Sequence, residues 1–153
     1  MDRFSNIDMT IRGAPAIGVA GAYGMVFAVR EKKPTTKDEV MKCLHEAKDY
    51  LDQARPTAVN LMWATKRIVD EVEKSSSTDY EQYILELAQR IADEDVEINR
   101  KMAVNGASLI PPNANVIHHC NTGALATVDI GTALGVIYGS CHTWVLIRMS
   151  SAG

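Results

Sequence analysis

The sequence predicts a mainly α protein: a helical N-terminal domain over residues 9–110, then at 111–139 the first strand-helix unit (βα or βαβ) of a doubly wound α/β domain, and a tail over 140–153. Three observations predict this. Apolar side chains recur at helical spacing as far as the glycine at 106. "IPPN", Ile110–Asn113, then enforces an extended connection. Beyond it "ANVIHHC" is a short strand-like run, followed by an Asn-Thr-Gly turn and the small-residue helical pattern "GALATVDIGTALGVIYG".

The first helix follows "TIRGAP", where Pro15 suits a first helical turn and the Gly/Ala-rich stretch that follows lets neighbouring backbones approach. The run Ala14–Val29 is apolar but ends at charged "REKK", short of the roughly 20 residues that span a bilayer, so it reads as a buried helix. A second helix starts at Thr36, with Glu39 completing a capping box and Val40, Cys43, Leu44, Ala47 and Leu51 forming its buried face. A third begins at "RPTAVNL", with Pro56 in its first turn, Arg55 just outside it and Trp63 in the core or at an interface. After "KSSS", Thr78 and Glu81 form a second capping box. The long helix that follows is expected to turn Ile84, Leu87, Ala88, Ile91, Ile98 and Met102 inward, with the acidic "ADEDVE" as solvated surface. Thr143–Met149 is either a second strand or an apolar tail.

With 153 residues, 46% hydrophobic and 23% charged, and a net charge of -3, the chain suits one ordinary globular domain and has no basic excess for nucleic acid or a membrane surface. A small molecule or a protein is the expected partner. Cys43, Cys120 and Cys141 have no zinc-like spacing, no metal set is expected, and no secretory signal opens the chain, which implies a reduced, cytoplasmic setting.

Three clusters carry chemistry. Arg12-Gly13-Ala14 joins a cation to a glycine turn at a helix start, so guanidinium and backbone N–H groups converge on a phosphate. Arg55 before Pro56 repeats that design, and two arginines can clamp one phosphate if the fold brings them together, a solvated arginine being the alternative. Cys120-Asn121-Thr122-Gly123 places a thiol at a strand end beside a helix start, with His118 on its face of the strand and His119 on the other. On the residues alone, a structural cysteine with two satisfied histidines fits as well. A Cys-His hydrolase lacks a third residue to orient the base.

The blocks "IRGAPAIGVAGAYG", "RPTAVNL" and "HCNTGALATVDIGTALGVI", in this order from about Met9 to Tyr138, resemble the methylthioribose-1-phosphate isomerase family. Its superfamily also holds regulatory subunits of the exchange factor of translation initiation. The resemblance implies a helical N-terminal domain, a Rossmann-like C-terminal domain, the site between them and a homodimer, with no cofactor or metal. It implies a phosphosugar substrate bound by Arg12, Gly13, Ala14 and Arg55, with Cys120 as the catalytic cysteine supported by Asn121, Thr122 and Gly123. The implied reaction is the aldose–ketose isomerisation of 5-methylthioribose 1-phosphate to 5-methylthioribulose 1-phosphate in methionine salvage. The cytoplasm, with the nucleus as a second compartment, is the implied location.

Departures matter as much. The family's proton-donating aspartate and an Asn-Lys pair fall in the C-terminal domain, beyond this chain, and Asp129, inside the expected helix, is no substitute. After Tyr138 the pattern is lost, and the family's N-terminal strand region is missing before Met9. The expectation is therefore a chain truncated at both ends and nearly inactive alone. Two alternatives stand beside it: a non-catalytic module that associates with a full-length isomerase, and a regulatory exchange-factor-subunit-like protein.

Overall fold

The structure, a computed structural model, describes residues 11–112 and 114–140. The readings placed on Met9, on Cys141, on the strand Thr143–Met149 and on the tail lie outside these residues. Among those described, the elements are helices α1 (Ala14–Lys32), α2 (Lys37–Asp52), α3 (Val59–Lys74) and α4 (Tyr80–Ala107), a 3₁₀ turn (Ala124–Ala126) and helix α5 (Ala133–Ser140).

Helix α1 is the centre of the fold because it is apolar almost all round, and such a helix is stable only when covered on several sides. It packs against α2, α3 and α4, burying Ile17, Ala22, Met25, Val26 and Val29. Pro15 lies in its first turn, and Lys33 ends it in the left-handed conformation (φ 47), with its N–H donated to the Val29 carbonyl at 2.8 Å. At Gly18 a Cβ would come within 2.9 Å of the Asn60 carbonyl oxygen, so the two backbones touch. The next close contact of α1 is Gly21 with Leu61 and Thr65, which makes α1 and α3 parallel.

The other helices run opposite. Arg30 near the end of α1 pairs with Glu81 at the start of α4 (2.8 Å). Lys37 in the first turn of α2 donates to the Glu73 and Ser75 carbonyls at the end of α3, both at 2.8 Å, where a cation is favoured. The Thr36–Glu39 capping box forms as the sequence predicts, and Val40, Cys43, Leu44 and Leu51 are buried as expected. Burial pushes the Cys43 thiol up, away from the reactive thiolate.

Four expectations need correction. Helix α3 begins at Val59, and Pro56 instead occupies the second position of a β-turn closed by Ala58 N–H to the Arg55 carbonyl (2.9 Å); the fixed φ of proline suits either place. Asp79, not Thr78, caps α4, accepting from Gln82 N–H at 3.0 Å, which leaves Glu81 to pair with Arg30. Ile84, Leu87, Ala88 and Ile91 are buried, but Ile98 and Met102 are 59% and 39% exposed, because the inward face of α4 shifts to Asn99 and Ala103 where α5 packs. Finally, the strand at Ala114–Cys120 and the helix from Gly123 do not form: among the described residues no strand is present, and helix resumes only at Ala133, so Asp129 lies in a bend. A strand exists by pairing, and Ile117, 98% exposed, has no sheet to cover it.

The helix ends and surface pairs set how stability should respond to mutation and to pH. Thr36→Ala removes the cap of α2 and is expected to lower stability by about 1 kcal/mol, read as a shifted urea midpoint. The carboxyls of Glu39 (backbone N–H of Thr35), Glu46 (Lys32), Asp70 (Lys66) and Glu94 (Arg67) are all held below their ordinary values by those hydrogen bonds. Their stabilisation is complete above the unfolded carboxylate range and is lost as pH falls through the lower folded values. Urea midpoints are therefore expected to be level from neutrality to about pH 5 and to fall below about pH 4.

Candidate functional site

The first chemical cluster touches the chain just beyond the third. Gly13 has φ 93, a conformation that favours glycine, and a Cβ there would lie 2.3 Å from Cα and 2.6 Å from the carbonyl oxygen of Ala126. The backbone that opens α1 is thus pressed against the turn that follows Cys120-Asn121-Thr122-Gly123. The first bond of α1, Ile17 N–H to the Gly13 carbonyl (2.9 Å), lies beyond the N–H groups of Ala14 and Ala16, and its first turn carries no acidic side chain. Arg12 and Ala14 are exposed beside it.

Arg55 is half-buried in the turn before α3. Because α1 and α3 are parallel and touch near their starts, this turn lies at the same end of the bundle as Arg12-Gly13-Ala14. Arg55 reaches that end from a β-turn and not, as expected, from beside a helix N-terminus.

Cys120 is exposed and left-handed (φ 69), an uncommon conformation for a residue with a Cβ. The turn after it is closed by local bonds: Gly123 N–H donates to Asn121 Oδ1 (3.3 Å), and Ala126 N–H to the Gly123 carbonyl (2.9 Å). Gly131 packs on the backbone of Thr122 and Gly123, folding the segment back on itself. With only a three-residue 3₁₀ turn following, the expected support of the thiol by a helix dipole is absent. Strand alternation does not set the histidines either: His118 Nδ1 lies 3.3 Å from Thr122 Oγ1, and His119 is exposed. The segment is anchored to α4, where Asp95 Oδ2 accepts from Val128 N–H at 3.0 Å.

The acidic run is only partly solvated. Besides Asp95, Glu94 forms a two-pronged pair with Arg67 (2.5 and 2.8 Å), whose guanidinium stands 5.4 Å from the Trp63 ring centre. That pairing raises the Arg67 pKa and lowers that of Glu94. Among the described residues no group of three or more His, Cys, Asp or Glu is placed to hold a metal. Nor is any helix there long and apolar enough to cross a membrane. Sequence reasoning missed a mainly apolar groove of about 480 Å³ beside Pro15, walled by Val19, Trp63, Ile98, Met102 and Thr132. Its walls come from four separate segments, so no local pattern announces it.

Comparison with known proteins gives this arrangement its context. Residues 10–143 match the Initiation factor 2 subunit family. Methylthioribose-1-phosphate isomerase 2 of Pseudothermotoga lettingae is 52% identical over 132 residues, which cover 85% of this chain and 38% of that protein. The methylthioribose-1-phosphate isomerase of a Synechococcus species is 48% identical over 132 residues, again 85% and 38%. Among solved structures, 5-methylthioribose 1-phosphate isomerase from Pyrococcus horikoshii superposes with a TM-score of 0.79 at 41% identity over 88% of this chain and 38% of its own. The delta subunit of translation initiation factor eIF-2B from A. fulgidus gives 0.78 at 42% identity, over 90% and 41%. The chain thus spans about 38% of the length of the curated relatives it matches. On the family match and these identities, the chain belongs to the Initiation factor 2 subunit family.

Proposed function

We propose that this chain carries the phosphate-binding and thiol-bearing part of an aldose–ketose isomerase acting on 5-methylthioribose 1-phosphate in methionine salvage. The observation that carries the reading is the contact of Gly13 with Ala126, which joins a cationic helix start to the 3₁₀ turn just after the Cys120–Gly123 cluster, across more than a hundred residues of sequence. Isomerase names among relatives at 48–52% identity support it. In this reading Arg12, Arg55 and the backbone of Gly13 and Ala14 hold the phosphate. Asn121, Thr122 and Gly123 shape the turn that presents Cys120 to the sugar.

The reaction needs no external oxidant. The bond from C1 to the ring oxygen breaks and that oxygen gains a proton. Hydrogen passes from C2 to C1, and the C2 hydroxyl gives up its proton to become a carbonyl, so C2 is oxidised as C1 is reduced. Residues 9–110 then form the helical domain, and 111–139 begin a Rossmann-like unit whose strand forms when further strands are present to pair with it. Association supports the same site: Leu109, Ile117 and Leu125 are 81%, 98% and 84% exposed, which favours a homodimer or docking on a full-length isomerase. Retention of the thiol in its motif disfavours a purely regulatory subunit, which has no chemical need of it.

Titration calorimetry with 5-methylthioribose 1-phosphate tests the reading. The folded chain is expected to bind, Arg55→Ala to bind about 10–100-fold more weakly through loss of a charged hydrogen bond, and Cys120→Ala to keep its affinity. A folded wild-type chain that shows no heat of binding would sink it. Gly13→Ala is expected to cost about 1–3 kcal/mol from backbone strain alone, and to free the 120–127 segment, seen as faster amide exchange there with α2 unchanged.

A further inference from the structure

Asp95 and Asn99 stand one turn apart on α4 and make an arrangement that core packing does not require. Asn99 is 2% exposed and gives its side-chain N–H groups to Asp95, to the carbonyl at 2.9 Å and to Oδ1 at 3.2 Å. Its own Oδ1 is buried with no hydrogen-bond partner among the described residues. A buried acceptor left unsatisfied is destabilising and calls for a reason to be kept. The other Asp95 oxygen supplies one: Oδ2 accepts the Val128 N–H at 3.0 Å, across 33 residues. Val128 is two residues beyond Ala126, which rests on Gly13, and the same stretch continues back to Cys120. A carboxylate can do this because it offers two acceptor oxygens and no donor. Asn99 fixes one oxygen, which aims the other.

From this geometry we propose that Asp95 is a positioning residue for the thiol-bearing turn, and that Asn99 acts through it by holding the carboxylate in register. The Asp95–Val128 bond ties the chain just beyond that turn to α4, where Arg100 also stands 3.7 Å from Asp129, while Gly13 meets the 3₁₀ turn from α1, so the segment is held between the two helices that flank it. The assignment rests on the functional reading above, in that Cys120 and the phosphate-binding residues must keep a fixed separation. Neither Asp95 nor Asn99 is assigned a contact with substrate.

The test combines residue-resolved amide exchange, urea unfolding and binding of 5-methylthioribose 1-phosphate on the 153-residue chain. Asp95→Ala is expected to speed exchange at Val128 about tenfold or more and to loosen residues 120–127 with it. Amides of α2 and α3 and the urea midpoint should move little, and phosphosugar affinity should fall. Asp95→Asn keeps one acceptor and should lie between wild type and Asp95→Ala. Asn99→Leu, which removes no group in contact with the turn, should also speed Val128. Unchanged exchange at Val128 in folded Asp95→Ala, an equal loss of protection in every helix, or full phosphosugar affinity with a loosened turn would each overturn the assignment. A wild-type chain that binds no phosphosugar counts against the proposed function alone, and the exchange data then decide whether Asp95 sets the turn.

Discussion

The close approach of α1 to α3 at Gly18 and the Asn60 carbonyl is the contact on which the rest of the arrangement depends. Only a helix with a very small residue at that point can bring two backbones so near, and nearness is what makes α1 and α3 parallel neighbours instead of diagonal ones. Once they are parallel, their starts lie at one end of the bundle. The Arg12-Gly13-Ala14 turn and the Arg55 turn are therefore brought together by packing, not by proximity in sequence. Helices α2 and α4 then fill the remaining flanks of α1 with Val40, Leu44, Ile84 and Leu87, all of them buried. A helix apolar on every side becomes the core itself.

A division of mechanical labour follows. The four long helices bury a continuous cluster of side chains, whereas the segment from Ala114 to Thr132 has little regular structure and many exposed apolar residues. This segment is held by individual contacts, among them Gly13 with Ala126, Asp95 with Val128, Thr127 with the Ile130 carbonyl, and the turn bonds of Asn121 and Gly123. The left-handed backbone at Cys120 is one that the residue's own preference opposes. Binding and catalytic side chains in proteins generally are often placed on irregular segments over a rigid scaffold, because the scaffold tolerates change in the segment.

What was legible in the sequence followed from interactions that are local. The Thr36–Glu39 box, the proline of α1 and the buried face of α2 each involve residues within a few positions of one another, and each stands where the pattern put it. Where two local solutions were equally good, the sequence chose wrongly: Pro56 fits a helix start or a β-turn with the same φ, and Thr78 and Asp79 are both competent caps. Periodicity named the face of α4 that carries Ile98 and Met102 but not where its neighbour ends, so two apolar residues became the wall of a groove. The clusters at Arg12, Arg55 and Cys120 were visible as chemistry. The contact of Gly13 with Ala126, just beyond the Cys120 cluster, was not, because it joins residues more than a hundred positions apart.

The irregular segment after Cys120 and the acidic run are linked. An extended segment must satisfy its backbone N–H groups, and in a sheet the ladder does so. Here side chains satisfy two N–H groups of the irregular segment after Cys120, with Asp95 accepting from Val128 and Asn121 from Gly123. The first acceptor was hidden because its donor is a backbone group, which every residue but proline carries and which leaves no mark in a sequence. Closely spaced acids look like solvated charge until one of them is seen facing such a donor. The same bond holds the chain just beyond the 3₁₀ turn against α4, so a polar residue of α4 links the packing of the bundle to the segment that carries the thiol.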